Sequence, residues 1–261
     1  MKDMKISVWR ELKVAKKLAV AVMLVAAILA LTCCKEAEEP VEPARYAVGD
    51  KGPAGGTIVY VAERNQSSTY KDKDGNTVTY TWRYLEAAPE DVTIETTTTT
   101  GTTTTVSEFI FGYYFVKGQA KSVAMRNGSS DIGQGRLNTT MLINAMGENA
   151  HKTKEASSDT TSNYAAKVAY DYKCTNDEGE EFKDWFLPSV KEMEAVYEVL
   201  FPDTSGSASS STSGTTSTTT ETGWWTSTEL SNEISAPFKN GDSGFGSRSK
   251  SYNVRPIRAF K

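Results

Sequence analysis

The chain has 261 residues, of which 38% are hydrophobic and 24% charged, with one histidine and three cysteines. Six basic and two acidic groups fall in the first 17 residues, leaving 23 basic and 31 acidic residues in a body too acidic to offer the clustered Lys and Arg that nucleic-acid binding requires. The single His151 excludes most histidine-based catalysis and metal binding, and the cysteine count excludes a disulfide-stapled fold.

The basic N-terminal stretch runs into the apolar segment Leu18–Thr32, a charged n-region followed by an h-region of signal-peptide type. That segment is shorter than the ~20 residues of a spanning helix. It ends at Thr32-Cys33-Cys34-Lys35. A lipobox places an aliphatic residue three before the acceptor cysteine. Leu31 holds that place for Cys34, which makes Cys34 the preferred lipidation site, with Cys33 second and an uncleaved anchor as the alternative. This stretch resembles the relaxed lipobox of bacterial lipoproteins. It implies a signal peptide over residues 1–33, a membrane contact through an acyl chain, and a bacterial envelope location. Lys35 in place of Asp favours the outer membrane, with surface or periplasmic exposure left open. Residues 34–45 then read as an acidic, proline-containing tether.

From Tyr46 the pattern becomes globular. Gly49–Gly56 is a turn-rich opening, and Thr57–Ala62 reads as a buried strand. Asp74-Gly75 signals a hairpin, after which Val78, Tyr80, Trp82 and Tyr84 alternate with polar residues on one strand face. The Asp72–Asn76 stretch begins like a calcium loop but lacks the later Glu, so a turn explains it. Three helices are expected. Asn138 is placed as the cap of the first, with Gly147 as its stop, and Ser162 as the cap of the second. The third opens on the capping box of Ser189 and Glu192, carries Met193, Val196, Tyr197 and Leu200 as its apolar stripe, and stops at Pro202. Trp185–Pro188 reads as a buried strand end, and Trp224–Thr228, Ala236–Lys239 and Val254–Phe260 as later strands. Trp224 and Trp225, being adjacent, must face opposite ways, one buried and the other a candidate for exposure. Arg255 and Arg258 also face apart, with Glu229 a candidate partner. Residues 96–105 and 204–222 are Ser/Thr-rich tracts expected to be mobile loops inside one domain. The element order is α+β.

Five blocks in order carry a family likeness: Gly49–Gly56, Trp82–Pro89, Asp184–Ser189, Trp225–Glu229 and Val254–Phe260. Together they resemble the Lcl C-terminal domain family, named after a collagen-like adhesin and of unknown function. The resemblance covers residues 46–261. It implies a single C-type-lectin-like domain, akin to the formylglycine-generating type, with two or three short helices on small antiparallel sheets. It also implies export, and in one branch glycosaminoglycan binding. It supplies no catalytic residues.

In folds of this type the segment corresponding to Ser227–Asn253 supplies the exposed binding face. The candidate ligand-binding residues are therefore Trp225, Glu229, Phe238, Lys239, Asn240, Phe245, Arg248, Lys250 and Tyr252, with Lys239, Arg248, Lys250 and Arg255 as a basic patch suited to an anionic glycan. No Cys-x-x-Cys, His-x-x-x-His, nucleophile elbow or phosphate-binding glycine pattern occurs, and the motifs of calcium-dependent sugar binding are absent. The expected function is that of a non-enzymatic, adhesin-like binding module without cofactor or metal, its ligand a glycan or matrix macromolecule. The alternative is an envelope-assembly lipoprotein that binds another membrane protein.

Overall fold

The chain's strands run antiparallel in small sheets around three helices, as seen in a computed structural model that describes residues 45–72, 74–97, 101–115, 123–124, 129–202 and 223–261. The stretch expected to be a signal segment, Cys33, Cys34, the expected tether up to residue 44 and the tract 204–222 lie outside the described residues.

The first hairpin pairs β1 (Thr57–Lys71) with β2 (Thr77–Ala87). Its turn is local chemistry: Asp72 Oδ1 accepts from the backbone N–H of Asp74 at 2.9 Å and of Asn76 at 2.8 Å, with Gly75 at φ +82°. In the outer half of β2, Thr77, Thr79 and Thr81 are exposed while Val78 and Tyr80 are half-buried, the expected alternation. From Trp82 to Ala87 every residue is buried.

Next come the short strands β3 (Ile94–Thr97), β4 (Thr103–Val106) and β5 (Phe109–Ile110), and helix α1 (Gly135–Met146). Strands β6 (Ala150–His151) and β7 (Thr160–Thr161) precede helix α2 (Ala165–Tyr170). After β8 (Cys174–Thr175), β9 (Glu181–Phe182) and β10 (Trp185–Phe186) comes helix α3 (Val190–Leu200). The C-terminal part holds β11 (Gly223–Glu229), β12 (Ile234–Lys239), β13 (Asp242–Ser243), β14 (Gly246–Ser247), β15 (Ser251–Tyr252) and β16 (Ile257–Phe260). The last strand returns to the first hairpin, giving one sheet in the order β1-β2-β16-β10, and a second sheet joins β11, β12, β13 and β14.

Several local expectations change. α1 begins a turn before Asn138, at Gly135, with Gln134 as its N-cap. Asn138 is instead fully buried, and its amide donates to Ser129 O at 2.7 Å and Ser227 Oγ at 3.2 Å. Gly135 is required because a Cβ there would strike the Glu192 carboxylate. Tyr164, not Ser162, occupies the N-cap of α2, but its side chain makes no capping bond; it is buried, and its hydroxyl donates to Gly147 O at 2.6 Å. α3 forms as read: Ser189 and Glu192 make the reciprocal capping box. Part of the tract 96–105 is a hairpin, β3 on β4, with the Thr97 and Thr103 hydroxyls 3.1 Å apart. Threonine is β-branched and packs well across strands, and Ile94 and Val106 at the base lean on the core.

β11 divides two cores. Trp225 joins Phe109, Phe111, Leu142, Tyr164 and Val254 on one side. Trp224 joins Phe186, Met193, Val196, Phe238 and Ile257 on the other. The adjacent tryptophans do face apart, but both are buried, because each face of the strand meets its own cluster.

Candidate recognition surface

The nine candidate ligand residues separate into a buried frame and an outer surface. Trp225 is wholly enclosed; its indole N–H donates to Phe109 O at 2.8 Å, and its ring meets the edges of Phe111 and Tyr252 at 5.3 and 4.8 Å. Phe238 packs on Tyr197 at 5.3 Å inside the second core. Tyr252 is 7% exposed. None of these three presents its ring to a ligand, which corrects their assignment to the binding face. The cause is core packing on both sides of β11: Trp225 on that strand and Tyr252 on β15 fill one cluster, and Phe238 on the neighbouring β12 fills the other.

Arg248 and Glu229 are corrected for a different reason. Both side chains are 0% exposed, and the guanidinium is paired with the Glu229 carboxylate. Arg248 also donates to Val123 O at 3.2 Å and Ser231 O at 2.6 Å, and lies over the rings of Phe111 and Tyr114. The Tyr114 hydroxyl reaches Glu229 at 3.5 Å; burial first, then the Glu229 charge, pushes its pKa upward. The main chain completes the anchor: Gly112 N–H donates to Arg248 O at 3.0 Å, and Arg248 N–H to Glu233 O at 3.2 Å. An ion pair so placed holds the end of the Ile234–Arg248 excursion against the core. A buried pair is costly to desolvate but more costly to break.

The outer surface consists of Lys239, Asn240, Phe245 and Lys250. Asn240 (φ +50°) and Gly241 (φ +86°) form the two-residue turn between Lys239 and its register partner Asp242, a positive-φ hairpin turn that suits Asn-Gly. The Lys239 ammonium lies over the Tyr252 ring at 4.6 Å. Lys250 is exposed. Phe245 is 86% exposed, yet both its neighbours are fixed: Gly244 N–H donates to Pro237 O at 2.8 Å, and Gly246 packs against Pro237 and Trp225.

The expected basic patch loses two members. Arg248 is neutralised by Glu229, and Arg255 donates to Asp91 at 2.6 Å. Glu229 is thus not the partner of either terminal arginine. Arg258 binds Asp184 at 2.8 Å and Glu86 at 3.1 Å. Glu86 is a buried carboxylate that the sequence reading passed over. It accepts from the N–H groups of Ala54 and Gly56 at 3.0 and 2.9 Å, and so clamps the Gly49–Gly56 opening onto the sheet. Burial raises its pKa, against the pull of Arg258. The signal for this role was the Glu inside the Trp82–Pro89 block.

Elsewhere the chemistry is sparse. An open groove of about 620 Å³ is lined by Glu90, Asp91, Lys167, Asp171, Tyr172 and Cys174, among others. The Cys174 thiol donates to Ala54 O at 3.4 Å, and burial pushes its pKa up, away from a reactive thiolate. The half-buried His151 has Nδ1 2.8 Å from Ser157 O and the Phe115 ring against its own. No cluster of three or more metal-ligating side chains occurs among the described residues. Compared with known proteins, the chain matches no family model, no curated protein and no solved structure.

Proposed function

We propose that the chain is an extracytoplasmic bacterial lipoprotein, anchored through Cys34, whose domain over residues 46–261 is a non-enzymatic recognition module with a C-type-lectin-like fold. The observation that carries this reading is Phe245: a large aromatic, 86% exposed, on a loop whose other end is fastened by a fully buried ion pair. An apolar ring held out in water at a fixed position gains by being covered, about 1.5–3 kcal/mol on full burial. Small rigid loops bearing one aromatic and several adaptable polar groups suit binding, because little conformational entropy is lost on contact. The return of β16 to the β1–β2 hairpin agrees with the lectin-like fold, and the N-terminal signal and lipobox agree with export.

The ligand is a macromolecule, a glycan or a matrix protein, met through Phe245, Asn240, Lys239 and Lys250. With Arg248 and Arg255 committed internally, anion attraction is a smaller part of recognition than the sequence suggested. The folded domain, immobilised and exposed to a panel of neutral and sulfated glycans and matrix proteins, is expected to bind at least one of them with a salt dependence no steeper than two phosphate-like contacts would give. Absence of binding across the panel by protein that unfolds cooperatively would overturn the reading, and a membrane-protein partner captured by cross-linking in cells would replace it.

A further inference from the structure

We propose that Asn65 is an acceptor for asparagine-linked glycosylation. The sequence holds three Asn-x-Ser/Thr tripeptides: Asn65-Gln66-Ser67, Asn127-Gly128-Ser129 and Asn138-Thr139-Thr140. The structure removes the third. Asn138 is fully buried inside α1 with its amide nitrogen engaged to Ser129 and Ser227. Asn127 lies outside the described residues. Asn65 is different on every count. Glu63, Arg64, Asn65, Gln66 and Ser67 are all exposed.

The backbone also presents this peptide. The β1–β2 register jumps from Val61 opposite Tyr84 to Gln66 opposite Trp82, so four residues, Ala62 to Asn65, face a single residue of β2. A bulge leaves its extra residues unpaired and bends the strand; here Ala62 stays in the core while Glu63, Arg64 and Asn65 are exposed. β1 is also the outermost strand of its sheet among the described residues. The Asn65 carboxamide makes no hydrogen bond among the described residues, and the neighbouring Gln66 Nε2 donates to Arg64 O at 3.0 Å.

The reaction is a group transfer from a lipid-pyrophosphate-linked sugar, catalysed by a separate transferase. The Asn65 amide nitrogen attacks the anomeric carbon and forms the C–N bond. The anomeric C–O bond breaks, its electron pair leaving with the lipid pyrophosphate, and one amide proton passes to a base of the transferase. No electrons are gained or lost overall. A transferase that handles a pyrophosphate leaving group carries cationic side chains, and Glu63, two residues ahead of Asn65, gives the peptide a carboxylate to meet one. The Ser67 hydroxyl, on the same exposed run, is the remaining element of the tripeptide. A glycan at this point has a structural use too: it stands beside an open sheet edge and blocks strand-to-strand pairing between molecules.

The inference rests on the export reading, because donor and transferase act outside the cytoplasm. The test therefore has two arms. The full chain is produced in bacteria that carry an asparagine-specific oligosaccharyltransferase and its lipid-linked donor, once with its own N-terminus and once with a proven secretion leader in place of residues 1–33. Peptide mass spectrometry is expected to find the donor glycan on the peptide containing Asn65, with at least tenfold less in Asn65→Gln, Ser67→Ala and Glu63→Ala, each with an unchanged thermal midpoint. An exported chain with the proven leader that carries no glycan on Asn65, or carries it on Asn127 alone, overturns the proposal. Glycan on Asn65 with the proven leader but not with the native N-terminus supports the site and counts against the export reading.

Discussion

Replacing Arg248 by Met removes the cation but keeps much of the buried volume, and leaves the Glu229 carboxylate inside the protein. Both side chains are 0% exposed in the wild type, so water cannot take over the role of the guanidinium without opening the fold. Charges about 4 Å apart at an effective dielectric near 20 attract by about 4 kcal/mol, and breaking one side of a buried pair costs about 3–5 kcal/mol. Two further donations, to Val123 O and Ser231 O, vanish as well. Domains of this kind hold about 5–15 kcal/mol in all, so Arg248→Met is expected to lose a third or more of the stability. Urea denaturation followed by tryptophan fluorescence measures it, since Trp224 and Trp225 flank the two cores. The double variant Arg248→Met, Glu229→Leu is expected to recover at least half of the loss, because neither member of this pair is then left buried with its charge. A loss below about 1 kcal/mol for the single variant, or no recovery in the double, would refute the claim that this pair fastens the loop.

Three other outcomes are expected. Glu192 is fully buried, and burial lifts its carboxyl to about 7 against the pull of backbone N–H groups of Ser189, Gly133 and Gly135. The folded state therefore holds this proton more tightly than the unfolded state does, so the stabilisation it gives is complete below about pH 4.5 and is lost as pH rises through 7. A shift of that size is worth about 3 kcal/mol, and urea midpoints of wild type against Glu192→Gln should diverge between pH 5 and 8; parallel curves would show the reasoning wrong. Gly52→Ala sets a Cβ onto the Glu86 side chain and must displace it from Ala54 and Gly56, an expected cost of about 1–3 kcal/mol by calorimetry. Phe245→Ala removes a ring that touches mostly water and should change stability by less than about 0.5 kcal/mol.

What the sequence made legible was whatever a short stretch decides by itself. The Ser189–Glu192 box, the Asp74-Gly75 turn and the outer part of the alternation, Val78 and Tyr80 against three threonines, depend on neighbours within a few residues and formed as read; from Trp82 the alternation ends, because Arg83 is buried along with Tyr84. The errors arise from distant partners. Ser162 has good capping chemistry, but Tyr164 is held by Gly147, so the helix starts after it. The threonine tract looked too polar to order, yet cross-strand threonine contacts and two apolar residues at its base make a hairpin of its ends. Arg248 looked like one more cation on a surface loop. Only the fold shows Glu229 beneath it and two aromatic rings beside it. The same holds for Phe238 and Tyr252, whose apolar character fits a binding face and a core equally well until the second layer is known.

The recognition claim stands or falls on one comparison. For the ligand captured by the binding panel, affinities of wild type and Phe245→Ala are measured side by side by calorimetry, with urea midpoints as the control for folding. Loss of the buried ring contact, about 1.5–3 kcal/mol, predicts a roughly 10- to 150-fold weaker Kd at equal stability. An unchanged Kd would contradict the claim that Phe245, held out by the pinned loop, is the point of contact.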